Sequence, residues 1–303
     1  MRRLLSSELV RLRSRRLVVI VFGAAIGGSA VGAAIAAWQS TPPTEEVRAA
    51  ARAQAEEQVR LCVNDFRDED VEGSLEEFCR QNAGNATYYT PSHLALAELP
   101  QILEGISSLT SILGLVVGAS AVAVSWQTGT IGTILTWEPR RMRWFAARLL
   151  VVGAGVFAIT TAIVAFLSAA LAIAAALRGS TELTDGWWRD FAGTSLRIAV
   201  ISAVAALIGG AVAAVGRHTS AALGVVFVYT AVLEGLLRAF RPLWSPWLLG
   251  DNIVSFVGWQ TTEFGVVSGS YVLSPGRALF VILGYVAITL ALGFTFVRIR
   301  DVQ

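Results

Sequence analysis

Side chains able to do chemistry are sparse in this 303-residue chain and scattered along it. His93 and His218 are its two histidines, and the apolar spans between them place them on opposite sides of a membrane, so no histidine cluster holds a catalytic metal. Ser107, Ser108, Thr110 and Ser111 crowd one apolar stretch with no base beside them. In such a helix hydroxyls bond to their own backbone or to a neighbour, and a serine nucleophile is not expected. All 24 basic residues are Arg. Without Lys there is no Gly-x-x-x-x-Gly-Lys-Ser/Thr phosphate loop, so this polypeptide does not hydrolyse ATP by that route and any energy comes from a partner. Asp65, Asp68, Asp70 and Glu72 lie close together, but their spacing is not that of an EF-hand; a solvated acidic turn, with no metal, is the better reading. Asn85-Ala86-Thr87 fits a glycosylation sequon, a pattern too short to mean much. Glu234 and Arg238 stand four apart and can neutralise one another on one helix face. Cys62 and Cys79 are the two cysteines; a disulfide is favoured over two free thiols.

Composition sets the class. With 54% hydrophobic and 15% charged residues and a mean hydropathy of +0.61, the chain reads as an all-α polytopic membrane protein, with no nucleic-acid-binding face. Residues 17–38 form an uncharged run that as a helix rises about 33 Å against a hydrocarbon core of roughly 30 Å. A cleaved signal peptide competes for this run, since Arg15 and Arg16 precede it and small residues lie near its end. A signal core is only about 7–15 residues, however, and an uncleaved first helix is expected. Further spans fall at about 102–126, 147–177, 196–216, 219–238 and 278–297, six in all. The Arg-rich segments, which are the N-terminus, the cluster at Arg140, the Arg217 turn and the end at Arg298 and Arg300, then share one side. Both termini are therefore expected in the cytoplasm of a bacterial cell membrane.

Residues 1–16 place Leu5, Leu9 and Leu12 at helical spacing among Arg residues, which predicts an amphipathic helix in the headgroup layer, with a merely basic start as the alternative. Gly23, Gly27, Gly28 and Gly32 in the first span give Gly-x-x-x-Gly spacings suited to a close helix neighbour, expected within the same chain. Residues 39–101 are too long for a turn and predict a small external helical subdomain. It holds a helix over about 44–66 and a second starting at Ser74, where Glu77 completes a capping pattern. Both cysteines fall there, in a compartment that permits oxidation. Residues 239–277, with Trp244, Trp247, Trp259, Pro242 and Pro246, read as a broken apolar region dipping into the outer interface.

Between the second and third spans lies Trp126 to Arg148, which carries Arg140, Arg141, Arg143 and Arg148 against only Glu138. Its Gly129-Thr130 followed by Leu-Thr-Trp-Glu-Pro-Arg-Arg at 135–141 resembles the first cytoplasmic loop of ABC-type-2 permeases, the membrane subunits of one class of ATP-driven exporters. The overall layout of 102–303 as five further spans, with loop 127–146 between the first two of them, is similar too. The family often has an acidic residue just before the Trp that opens this stretch; here Val124 and Ser125 stand there. The resemblance implies an elbow helix at 1–16 and a coupling helix with its flanks within Thr128–Arg143. Gly129, Thr130, Trp137, Glu138, Pro139, Arg140 and Arg141 would then meet a cytoplasmic ABC ATPase subunit. ATP and Mg would sit on that partner, with no cofactor on this chain. It also implies a second permease copy, identical or related, within membrane lipid, and a substrate path along the second and fifth spans at Ser107, Thr110, Ser111, Phe227, Tyr229 and Thr230. The external segment exceeds the family's short first outer loop and suggests an added role in gating or partner docking. A non-transporting scaffold or sensor with a ligand-binding external subdomain is the alternative, and a lipid-modifying enzyme comes third.

Overall fold

The computed structural model describes residues 2–41, 44–65, 74–83, 89, 93–137, 140–183, 185–266 and 269–299. Apolar runs this long satisfy their backbone groups without water only by coiling into helices, and helices dominate the chain. They are α1 (Arg2–Arg13), α2 (Arg16–Gln39), α3 (Glu45–Asp65), α4 (Leu75–Ala83), α5 (Leu99–Gln127), α6 (Thr130–Trp137), α7 (Arg141–Arg178), α8 (Trp187–Gly216) and α9 (Thr219–Phe227). A six-residue π-helical segment, Val228–Leu233, joins α9 to α10 (Glu234–Phe240). A 3₁₀ turn at Pro242–Trp247 leads to α11 (Leu249–Gly258), then to strands β1 (Thr262–Val266) and β2 (Gly269–Leu273), and α12 (Pro275–Ile299) closes the order. Six of these helices are long and apolar enough to cross a membrane: α2, α5 with its leading turn, α7, α8, the composite Thr219–Phe240, and α12. Helix α7 starts six residues earlier than the hydropathy boundary at 147, so part of the expected loop 127–146 is helical. At 38 residues it is about 57 Å long by helical rise, well beyond a hydrocarbon core of about 30 Å.

The chain forms two compact units. The first comprises Met1–Gly27, Pro100–Phe166 and Gly186–Gln303. Its tightest joint is the crossing of α5 and α8, where Gly114 and Gly118 lie against the carbonyls of Ser202 and Ala206, and Gly209 against that of Leu115. A Cβ at Gly114, Gly118 or Gly209 would overlap those backbone oxygens, so glycine is what permits the approach. Around it pack Ala119, Val122, Ala123, Trp144, Phe145, Leu149, Ala213 and Ala214, all buried. The glycines expected to do this job, in the first span, do not: a Cβ at Gly23, Gly27, Gly28 or Gly32 would meet nothing within 4 Å among the described residues. That face of α2 is open.

The N-terminal stripe also differs from the expected one. Leu12 is buried at 5% exposure and Leu5 packs beside it, but Leu9 is 46% exposed and Glu8 takes the buried position between them, at 4%. An acid there is stable only with a cation beside it, which Arg148 supplies.

Residues 239–277, expected as an irregular apolar stretch, contain real secondary structure. β1 and β2 pair antiparallel from Thr262↔Leu273 to Val266↔Gly269, with Phe264 and Tyr271 stacked at 5.6 Å across the pair.

The second unit comprises Gly28–Leu99 and Leu167–Asp185. Helix α3 covers nearly the expected range, and α4 begins where Ser74 Oγ accepts the Glu77 amide at 3.2 Å, a side-chain cap on the first turn. Ser40 Oγ donates to the Arg178 carbonyl at 2.6 Å and accepts the Leu94 amide at 2.9 Å. Leu94–Leu96 and Ser180 exchange two backbone bonds of 2.9 Å. A Cβ at Gly179 would overlap the Leu94 carbonyl, so this crossing also needs glycine. Cys62 and Cys79 form a disulfide with Cα atoms 5.8 Å apart, tying the end of α3 to α4. Asp68, Asp70, Glu72 and the Asn85–Thr87 sequon lie outside the described residues.

The bridge closes a loop of 17 residues, and chain entropy assigns it on the order of 3 kcal/mol. Non-reducing mass mapping is expected to recover the two cysteines in one linked peptide. Reduction is expected to make the α3–α4 segment markedly more sensitive to limited proteolysis. Quantitative alkylation of both thiols in native, unreduced protein would count against this.

Candidate functional site

Two polar constellations stand out in the first unit, both built by residues far apart in sequence. The first surrounds the connector between α5 and α7. Helix α5 ends in a turn in which the Thr128 amide reaches the Val124 carbonyl (3.0 Å) and the Gly129 amide that of Trp126 (3.2 Å). Gly129 takes φ 66°, a left-handed cap that glycine adopts without strain. Thr128 Oγ1 lies 3.0 Å from Thr130 Oγ1 and bonds back to Val124 O at 2.8 Å, so the turn is held at both ends. Helix α6 then lies against the core through Ile131, buried at 4%, with Ile134 partly buried beside it. Trp137 ends α6, and Glu138 and Pro139 lie outside the described residues. Arg140 is exposed, and its carbonyl accepts the amides of Arg143 and Trp144 at 2.9 and 3.1 Å, starting α7, whose first residue is Arg141. The sequence motif is thus a short anchored helix followed by a solvent-facing Arg.

Behind this connector lies a buried ion cluster that sequence reasoning missed. The sequence groups Arg148 with the other basic residues of the loop, but it is 3% exposed. Its Nη1 pairs with Glu8 Oε2 at 3.3 Å, while Nε and Nη2 donate to the Ala121 carbonyl at 3.0 and 2.5 Å. Arg11 Nη1 takes the other Glu8 oxygen at 3.0 Å. Arg15 donates to the Ser120 and Ala121 carbonyls at 2.9 and 3.2 Å. Burial lowers the Arg15 guanidinium pKa below its ordinary value, and Glu8 offsets part of that. Glu8, Arg148 and Arg15 therefore fasten the N-terminal segment to α5 and α7, while Arg11 pairs with Glu8 within α1. The available signal was Glu8 itself, the only acidic residue before Glu45.

The second constellation gathers residues of α8, α10, α11, α12, the π-helical segment and β2. Arg238 Nη2 lies 3.0 Å from Glu234 Oε2, and the same nitrogen also donates to Asp251 Oδ1 at 2.9 Å. Glu234 Oε1 accepts the Gly250 amide at 3.0 Å, and a Cβ at Gly250 would crowd that carboxylate. Tyr271 donates to Asp251, and burial together with that bond raises the Tyr271 phenol above its ordinary value. Tyr229 and Tyr285 hydroxyls meet at 2.7 Å; Tyr229 accepts the Leu249 amide at 3.2 Å and Tyr285 donates to Trp247 O at 3.2 Å. The helical register that brings Tyr229 and Glu234 to this cluster includes the π-helical turn, in which the Glu234 amide reaches back to Tyr229 O. Nearby, Arg197 donates to Val257 O at 2.8 Å, bonds Thr194 at 3.0 Å and lies over the Trp259 ring at 5.5 Å. Together these contacts fasten α11 and the hairpin to the ends of the spans.

The residues suggested for a substrate path fall in two environments. Ser107, Thr110 and Ser111 are buried, and Thr110 and Ser111 spend their hydroxyls on the Ser107 carbonyl at 3.0 and 2.7 Å. Thr110 borders a cavity of about 20 Å³, room for about one water. Phe227, by contrast, is 66% exposed, and Thr230 is exposed with its hydroxyl on Val226 O at 3.0 Å. Among the described residues, the cavity that Thr110 borders is lined by none of Phe227, Tyr229 and Thr230. Among the described residues no group of three or more His, Cys, Asp or Glu is placed to hold a metal. No protein-family model matches the chain, and no curated protein sequence is detectably similar to it.

Proposed function

We propose that this chain is the membrane-spanning permease subunit of an ABC exporter, driven by ATP and Mg on a separate cytoplasmic ATPase, in a bacterial cell membrane with both termini cytoplasmic. The observation that carries this reading is the connector. A short helix, Thr130–Trp137, sits between two long spans, anchored through Ile131 and ending beside the exposed Arg140. A rigid element that is packed on one side and open on the other transmits a push from a docked partner into α5 and α7. The buried Arg148–Glu8 pair extends that rigidity to α1, which serves as the elbow.

Exposure of the spans supports a second copy. Buried residues make up 61% and 56% of the most apolar windows of α5 and α8, but only 11% of those of α2 and Thr219–Phe240. The fifth span with Phe227 and Thr230 is therefore left for lipid and a facing permease, while Tyr229 turns inward to Tyr285, and a substrate path forms between copies rather than inside one.

In the double variant R140A/R141A the protein should still insert, because Arg143 and Arg148 keep the segment basic. Co-purification of the ATPase encoded beside it should fall by ~10-fold, as expected for loss of Arg anchors at an interface. Equal ATPase recovery and equal coupled hydrolysis, at matched amounts of inserted protein, would make the connector an anchor only. A scaffold or sensor remains the second reading because of a cleft of about 670 Å³ in the second unit, lined by Glu56, Arg60, Glu76 and Arg80 beside the disulfide-tied helices. Absence of any ATPase partner would favour it.

A further inference from the structure

The space between α1, α2, α5 and the connector is a cleft of about 550 Å³ whose walls are strongly basic. Arg11, Arg15, Arg16 and Arg148 all line it. Among the described residues no carboxylate lines it, and Glu8 is already shared by Arg11 and Arg148, so those four positive groups against one negative leave an excess of three. Thr130 and Thr219, the first residues of α6 and α9, also line it. Helix α9 begins without a side-chain cap, so its positive end adds to the field. An open cleft with uncompensated guanidinium charge, hydroxyls and helix starts has the chemistry of a phosphate site.

Its surroundings indicate where that phosphate comes from. Leu17 and Val124 line the same cleft, and one turn along α2 Val19 and Ile20 are 61% and 68% exposed, an apolar track leading away from Arg16. A ligand that is anionic at one end and apolar along its length fits both features. We propose that this cleft binds the phosphate of an anionic phospholipid headgroup, with the acyl chains against the open face of α2. The inference does not depend on transport: it requires only that the chain is embedded in a membrane.

The test is titration of the full chain with dioleoylphosphatidylglycerol in mild detergent, followed by native mass spectrometry. One retained lipid per chain is expected. Arg11 and Arg16 are solvent-exposed and Glu8 keeps its buried partner Arg148, so R11Q/R16Q should fold, which its thermal unfolding in phosphatidylcholine nanodiscs monitors. Each Arg is worth on the order of fivefold, about 25-fold for the pair. R13Q removes the same charge from the same exposed helix outside the cleft and should change binding less than about twofold. If R13Q costs as much as R16Q, attraction is diffuse and the site is wrong; unchanged binding in R11Q/R16Q is equally fatal. Saturation of the cleft by inorganic phosphate alone, with the same loss in the double variant, would keep the phosphate site and overturn the lipid as its source.

Discussion

Replacing Arg148 by Met while Glu8 is kept should lower stability by about 3–5 kcal/mol, the usual cost of removing one partner from a buried ion pair. Glu8 and Arg148 are 4% and 3% exposed, so the surviving carboxylate would keep only Arg11, a side chain half open to solvent. Ala121 O would also lose two donors and retain Arg15 at 3.2 Å. Lys should not substitute, since one ammonium cannot serve Glu8 and the Ala121 carbonyl as the planar fork does. Removing both charges, in E8Q/R148M, should recover most of the loss, because the expense lies in an uncompensated buried charge rather than in the missing attraction. Thermal and denaturant unfolding of the parent, E8Q, R148M and E8Q/R148M in the same detergent form the double-mutant cycle. An R148M protein as stable as the parent would show that α1 is not held by this pair.

Gly118→Leu is expected to be at least as damaging, by more than about 3 kcal/mol and with loss of monodisperse protein on size exclusion. A Cβ at this position overlaps the Ala206 carbonyl, which is backbone and cannot rotate away, so α5 and α8 must separate. Separation would also open the contacts of Gly114 with Ser202 and of Gly209 with Leu115. Gly27→Leu, in the first span, is the matched comparison: a Cβ there meets nothing within 4 Å, and the change should stay within about 0.5 kcal/mol. Should the two substitutions behave alike, glycine contact would not be what sets the distance between α5 and α8.

That pair of glycine sites shows the boundary of what could be read in advance. Both Gly23-x-x-x-Gly27 and Gly114-x-x-x-Gly118 stand in the sequence with the same spacing. Spacing says that a backbone can approach; it does not say which helix does. The same holds for Glu8, whose position in a basic amphipathic stretch looks like a surface charge until Arg148, 140 residues away, is brought to it. The Glu234–Arg238 pair was legible because both partners lie on one turn-spaced helix face, whereas Asp251 and Tyr271 join it only through the fold. The hairpin at Thr262–Leu273 was not legible in advance, because its register rests on pairing between the strands rather than on periodicity within one.

The sequence by itself determined the number of apolar helices, the helix at Glu45–Asp65 and the cap at Ser74. Each follows from local forces: hydrocarbon demands internal backbone bonding, and capping residues and glycine turns act within a few positions. Only the tertiary structure decided which glycines carry helix contact, which of the basic residues are buried, and that the serines of α5 are closed in while the face of the fifth span is open. Those outcomes depend on which surfaces meet. A charge or a missing side chain acquires its energy from the neighbour across the interface, and that neighbour is not written in the local pattern.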